Sequence, residues 1–153
     1  MEVFNLMNPK KNIKILIADD DRKLQALIKE AFDNNNTICD IFFVDNGEEL
    51  IDFLRNTGKY SDKNMYPRPG IILLDLNMPK KDGYQALKEI KSDDSLKNIP
   101  IVVLAASKSK EDISATYNLG ISGYITKPNT FESLAEILKI TSSYWFEIVE
   151  LPS

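Results

Sequence analysis

The sequence predicts an α/β domain, a five-stranded parallel sheet with helices on both faces, and three observations carry that prediction. Five short apolar runs alternate with five stretches whose apolar residues recur at helical spacing. Such alternation implies right-handed βαβ crossovers, which cover both faces of a parallel sheet. The chain has 153 residues, 43% of them hydrophobic and 27% charged, which supplies one compact core and argues against disorder or repeats.

Residues 1–12 show no clear period and end in Asn8-Pro9-Lys10-Lys11-Asn12, so they read as a tail. The first strand is Ile13 to Ala18, halted by Asp19-Asp20-Asp21. Leu24, Leu27, Ile28, Ala31 and Phe32 then trace the face of an amphipathic helix, which Asn34-Asn35-Asn36 ends. A second run spans Ile38 to Val44, and Gly47 opens a helix with Leu50, Ile51 and Leu54 on one face. Thr57 to Gly70 is polar and holds Gly58, Pro67 and Pro69, the marks of a long loop. Ile71 to Leu76 is the third strand, followed by Pro79, Asp82-Gly83 and a helix that buries Tyr84, Leu87 and Ile90. Pro100 introduces the fourth run, Ile101 to Ala106, and the next helix, Glu111 to Leu119, closes on Gly120 as a left-handed cap. Tyr124-Ile125-Thr126 is the fifth strand. Asn129 and Glu132 form a capping box for the last helix, which buries Phe131, Leu134, Ala135, Ile137 and Leu138.

Composition removes several function classes. With no His, the chain has no Ser/His/Asp triad, no His-ligated zinc or haem and no phosphohistidine of its own. The lone cysteine, Cys39, forms no intrachain disulfide and reads as a small buried hydrophobe. A net charge of −4 offers no attraction to nucleic acid. Neither a basic-then-apolar leader nor an apolar run near ~18 residues occurs, so the expectation is a cytoplasmic protein without membrane insertion.

In open α/β sheets, chemistry collects outside the C-terminal ends of the strands. Strand one ends in Asp19-Asp20, strand three in Asp75, strand four in Ala105-Ala106-Ser107 and strand five in Lys127-Pro128. Singly, each Asp is explained as a helix cap and the Lys as solvated. Together, in a sheet of order 2-1-3-4-5, they converge. Carboxylates gathered there repel unless a cation sits between them, and an all-oxygen site suits Mg²⁺. A lysine opposite balances an incoming phosphoryl group. This is equipment for phosphoryl transfer onto a carboxylate, with the central-strand Asp75 as nucleophile.

Leu16-Ile17-Ala18-Asp19-Asp20, Leu74-Asp75-Leu76-Asn77-Met78-Pro79 with Asp82-Gly83, and Gly123-Tyr124-Ile125-Thr126-Lys127-Pro128 closely resemble the receiver domains of two-component response regulators. The resemblance covers about residues 13–140 and implies the flavodoxin-like strand order 2-1-3-4-5. It divides the chain into a tail (1–12), a receiver (13–142) and an apolar C-terminal extension (143–153). It further implies that Asp75 is the phosphoacceptor. Asp19, Asp20, Asp75 and the backbone carbonyl of Asn77 would hold Mg²⁺, with Asp20 the more direct ligand, and Lys127 would pair with a phosphoryl oxygen. Asp21 leaves the register of the acid pair one residue open. Tyr124 takes the place of the switch aromatic, or else is a half-buried edge tyrosine, and similar receivers have a cis bond before the Pro at position 128.

One position departs from the family. Receivers normally carry Thr or Ser where this chain has Ala105, and that hydroxyl bonds the phosphoryl group and draws the aromatic inward. Losing a hydrogen bond to a charged group weakens the phosphorylated state by roughly 1.5–3 kcal/mol. The expectation is that Asp75 still accepts phosphate while Tyr124 responds weakly; Ser107 could substitute through a water.

The final stretch holds Trp145, Phe146, Ile148, Val149 and Leu151, too many apolar groups for a solvated tail. They either fold back on the sheet or make a homodimer across the helix-four, strand-five, helix-five face; the dimer is the reading taken. The tail and the Pro79-to-Gly83 loop also resemble the small response regulators that partner bacterial and cyanobacterial phytochromes. The favoured function is a stand-alone response regulator, phosphorylated by a sensor histidine kinase and signalling by protein contact rather than as an enzyme. The alternative is a pseudo-receiver that binds partners independently of phosphate. A phosphatase fits worse, because Asn77 stands where a second acid is wanted, and flavin or nucleotide binding lacks its glycine-rich loop.

Overall fold

The structure, a computed structural model, describes residues 13–33 and 39–152. The tail 1–12, the Asn34-Asn35-Asn36 helix stop and Ile38 lie outside the described residues. The strands are β1 (Ile13–Ala18), β2 (Cys39–Val44), β3 (Ile71–Leu74), β4 (Ile101–Ala105) and β5 (Gly123–Thr126). Between and after them run α1 (Arg22–Asp33), α2 (Gly47–Arg55), α3 (Gly83–Lys91), α4 (Lys110–Asn118) and α5 (Phe131–Ser143). All strand pairs are parallel, in the order β2-β1-β3-β4-β5. The predicted architecture is the observed one.

Side chains two apart share a sheet face, and the core divides accordingly. Leu16, Ala18, Ile72, Leu74, Val103 and Ala105 face α2 and α3, meeting Leu50, Phe53, Leu87 and Ile90. Ile15, Ile17, Ile71, Leu73, Val102 and Leu104 face α1 and α5, meeting Leu24, Ile28, Phe32, Leu134 and Leu138. β3 and β4 are buried throughout, as strands covered on both faces must be, whereas edge strands β2 and β5 are mostly half-buried. Cys39 is therefore half-buried rather than buried, because it opens an edge strand.

Strand ends differ slightly from expectation. β3 stops at Leu74, where Asp75 turns the chain by accepting the Asn77 amide on its own side chain, an Asx turn. The last helix is capped not by Asn129 but by Thr130, whose side chain accepts from the Ser133 amide, and Phe131 is exposed. Gly120, with φ +98°, supplies the predicted left-handed turn after α4. The Lys127–Pro128 peptide is trans, the isomer X–Pro bonds ordinarily prefer.

The stretch after α2 is more than a polar loop. Asn56 adopts a left-handed conformation, φ 54°, and its amide nitrogen donates to the carbonyls of Tyr60 (3.0 Å) and Tyr66 (2.9 Å). Tyr60, in a 3₁₀ turn over Gly58–Tyr60, is thereby folded onto Phe53 (ring centroids 5.3 Å apart) and against Tyr66 (4.9 Å).

The C-terminal extension folds back on the domain. α5 continues into a π-helical turn, Tyr144–Ile148, closed by a bond from the Val149 amide to the Tyr144 carbonyl. The extra residue in that turn rotates the chain. Phe146 enters the α1/α5 core, 1% exposed and edge-on to Phe32 at 5.3 Å. Trp145 and Leu151 pack on the same core, and Leu151 lies beside Gly70. Phe146 is thus closed off inside the domain and is not available as the expected dimer contact, while Trp145 is half-buried against the same core. Val149 is half-buried, and Ile148 remains 52% exposed.

Candidate functional site

The site lies where β1 and β3, neighbours in the sheet, reach their C-terminal ends. The Asp19 amide bonds the Val44 carbonyl and the Asp75 amide bonds the Ala18 carbonyl, so both acids leave the ladder at adjacent points. Asp19 and Asp75 are buried, 3% and 8% exposed, while Asp20 is exposed. Carboxylate oxygens of Asp19, Asp20 and Asp75 lie within 4.8 Å of one another. Asp21 is separate: its Oδ1 accepts from the amides of Lys23 (3.0 Å) and Leu24 (3.2 Å), capping α1. The acid pair is therefore Asp19/Asp20.

Lys127 follows β5, two strands from β3, yet its Nζ lies 3.3 Å from Asp19 Oδ2 and 3.8 Å from Asp75 Oδ2. One lysine does not offset the crowding. Burial, and then the charge of Asp19, push the Asp75 carboxyl up to about 6, against the opposing pull of Lys127 and the Asn77 amide. Burial also raises Asp19. An all-oxygen cluster with excess negative charge, two of its members buried, fits a hard divalent cation. Asp19, Asp20 and Asp75 are the side chains that could hold one.

Supporting residues fix the frame. Gly83 opens α3 directly against the Asp75 backbone: a Cβ there would sit 2.5 Å from the Asp75 carbonyl oxygen, so only glycine fits. Lys80, with φ 59°, makes the tight turn after Pro79, and the Lys81 carbonyl accepts from the Gly47 amide at 2.8 Å, tying this loop to α2. Gln25 Nε2 donates to the Asp19 carbonyl at 2.6 Å. Gln25 escaped the sequence reading because a Gln on a helix carries no sign of its partner.

A family model described as "Response regulator receiver domain" matches residues 15–139. The chain belongs to the response regulator receiver family. It is 36% identical over 139 residues to the response regulator Rcp1 of Synechocystis sp., covering 91% of this chain and 92% of that protein. Its fold matches the phosphorylated cyanobacterial phytochrome response regulator RcpA with TM-score 0.88 and 40% identity, over 94% of this chain and 100% of the other. The Mn²⁺-bound form of Rcp1 matches with TM-score 0.86 and 36% identity, over 95% of this chain and 100% of the other.

Ala105 ends β4 with its methyl buried and its carbonyl accepting the Lys127 amide at 2.8 Å. Ser107 Oγ donates to Asp112 Oδ2 at 2.5 Å. Half-buried Tyr124 donates its hydroxyl to the Ser107 carbonyl at 2.9 Å. Among the described residues, no helix is long and apolar enough to cross a membrane.

Proposed function

We propose that this receiver is a phosphorylatable response regulator that takes a phosphoryl group on Asp75 from a sensor histidine kinase and signals by protein contact. The observation that supports it most is that buried Asp75 lies within 4.8 Å of the Asp19 and Asp20 carboxylates and 3.8 Å from the Lys127 ammonium. Asp75, pushed up to about 6, is mainly ionised at neutral pH and can act as nucleophile. One of its oxygens forms the O–P bond as the N–P bond of a phosphohistidine breaks, and the imidazole nitrogen leaves with the bonding pair and takes a proton from water. Lys127 is within reach of the developing charge on the phosphoryl oxygens. Mg²⁺, held by Asp19, Asp20, Asp75 and the Asn77 carbonyl, would supply the remaining charge neutralisation. Because the chain has no His, the phosphohistidine belongs to the partner, and the likeness to phytochrome response regulators supports a phytochrome-type kinase.

Cytoplasmic location follows from that partner chemistry. A homodimer would use a second copy packed on Ile140, Tyr144 and Ile148, spaced by four residues and exposed by 65%, 50% and 52%. The pseudo-receiver reading is favoured by one observation, Ala105 at the switch position with Tyr124 already bonded to Ser107. Intact-mass measurement after incubation with an acyl phosphate and Mg²⁺ decides between them. The proposal expects one added phosphoryl group, lost in Asp75→Asn and with chelator; an unmodified wild-type chain leaves the pseudo-receiver.

A further inference from the structure

α4 is weakly anchored by packing. Its one buried residue is Thr116, and that hydroxyl is used within the helix, donating to the carbonyls of Asp112 (3.0 Å) and Ile113 (2.8 Å). What ties its first turn to the rest of the domain is polar. Asp112 Oδ1 accepts the Tyr84 hydroxyl from α3 at 3.1 Å, and Asp112 Oδ2 accepts the Ser107 hydroxyl from the β4–α4 segment at 2.5 Å. The Ser107 hydroxyl in turn accepts the Ser109 amide at 3.2 Å, and the Ser107 carbonyl holds the Tyr124 hydroxyl of β5 at 2.9 Å. Tyr84, Asp112, Ser107 and Tyr124 thus link three elements and the loop that leaves β4, with Ser107 joining its two hydrogen bonds through its own side chain and backbone carbonyl.

We infer that Asp112 is a positioning residue that locks α3, the β4–α4 segment and β5 together, holding Tyr124 on the Ser107 carbonyl before any phosphoryl group arrives. A carboxylate suits this task because it accepts from two hydroxyls at once, and hydrogen bonds to an ionised acceptor are the stronger kind. The same two hydroxyls hold the Asp112 carboxyl below the ordinary carboxylate range. Ala105 offers no hydroxyl through which a phosphoryl group could compete for this segment. The α4–β5 face is thus preset, and phosphorylation changes it little. The inference deepens the receiver reading and rests on it only for what a phosphoryl group would or would not move.

The test labels the chain with 3-fluorotyrosine and follows the Tyr124 fluorine resonance, assigned by Tyr124→Phe. In the mimic-free protein, Asp112→Ala increases the population of the released Tyr124 ring roughly tenfold. Tyr84→Phe, which leaves the helix terminus untouched, shifts it the same way by less, and Asp112→Asn, with one accepting oxygen, falls between wild type and Asp112→Ala. Adding Mg²⁺ and beryllofluoride leaves the wild-type Tyr124 resonance in place. A Tyr124 resonance unchanged in both Asp112→Ala and Tyr84→Phe, with native circular dichroism, overturns the inference, as does a wild-type resonance that moves when the mimic binds. Uptake of the mimic is read separately at the Asn77 amide. Its absence would count against phosphorylation on Asp75 while the mimic-free comparison still decides the role of Asp112.

Discussion

Asp75→Asn raises the stability of the metal-free protein at pH 7.5 by about 2–3 kcal/mol while removing the phosphoacceptor. The Asp75 carboxyl is pushed from 3.8 up to about 6 by burial and by Asp19, so the folded state binds its proton more tightly than the unfolded chain does. For a carboxylate raised in this way, the contribution to stability is complete below pH 3.8 and is lost as pH climbs through about 6. At pH 7.5 the ionised side chain is therefore a cost, and an amide of the same shape avoids it. For a domain of this size the gain appears as roughly 5–10 °C in Tm. The gain should shrink at pH 4.5, where the wild-type group is protonated, and again in saturating Mg²⁺, which offsets the same repulsion in the wild type. Thermal melts of both proteins at the two pH values check this. Equal stability at pH 7.5 would mean that Asp75 is not under the strain its surroundings imply.

Phe146→Ala costs about 3–5 kcal/mol of folding stability, the range for a large side chain removed from a closed core. Phe146 is 1% exposed, edge-on to Phe32, and lines a small apolar recess with Ile15, Ile71, Leu73 and Val102. Few of these neighbours can collapse into the space, because they belong to strands held by their ladders. Ile148→Ala, at a position 52% exposed, costs within ~0.5 kcal/mol. The contrast is read by urea unfolding. A Phe146→Ala protein that keeps nearly full stability but loses self-association would restore the dimer reading of that residue; if the extension is structural, the loss is in stability itself.

The strands and the acid cluster were legible because apolar runs meet acids at or near their ends, Ala18 at Asp19 and the Ile71–Leu76 run at Asp75. Parallel strands bring such stops to one edge of the sheet, so position along the chain becomes position in space. The C-terminal turn was not legible in that way. Apolar residues at 144–151 announce burial but not the partner, and a π turn breaks the 3.6-residue period from which a helical face is read. Tyr60 and Tyr66 were hidden in a polar stretch because their burial depends on Asn56 taking a left-handed conformation and reaching two carbonyls. By its position in the chain Asp112 is one of two acids in the first turn of α4. Its meaning lies in Tyr84, 28 residues earlier, and only the fold puts the two together.

Whether a divalent cation and a phosphoryl group meet at Asp75 is read at the Asn77 amide, which donates to Asp75 Oδ1 at 3.1 Å. Nitrogen-15 NMR of that amide should show a saturable shift with Mg²⁺ and a second, stoichiometric shift when beryllofluoride is added, both absent in Asp75→Asn. An Asn77 resonance indifferent to Mg²⁺, or one that responds equally in Asp75→Asn, would mean that neither the cation nor the phosphoryl group is held at Asp75.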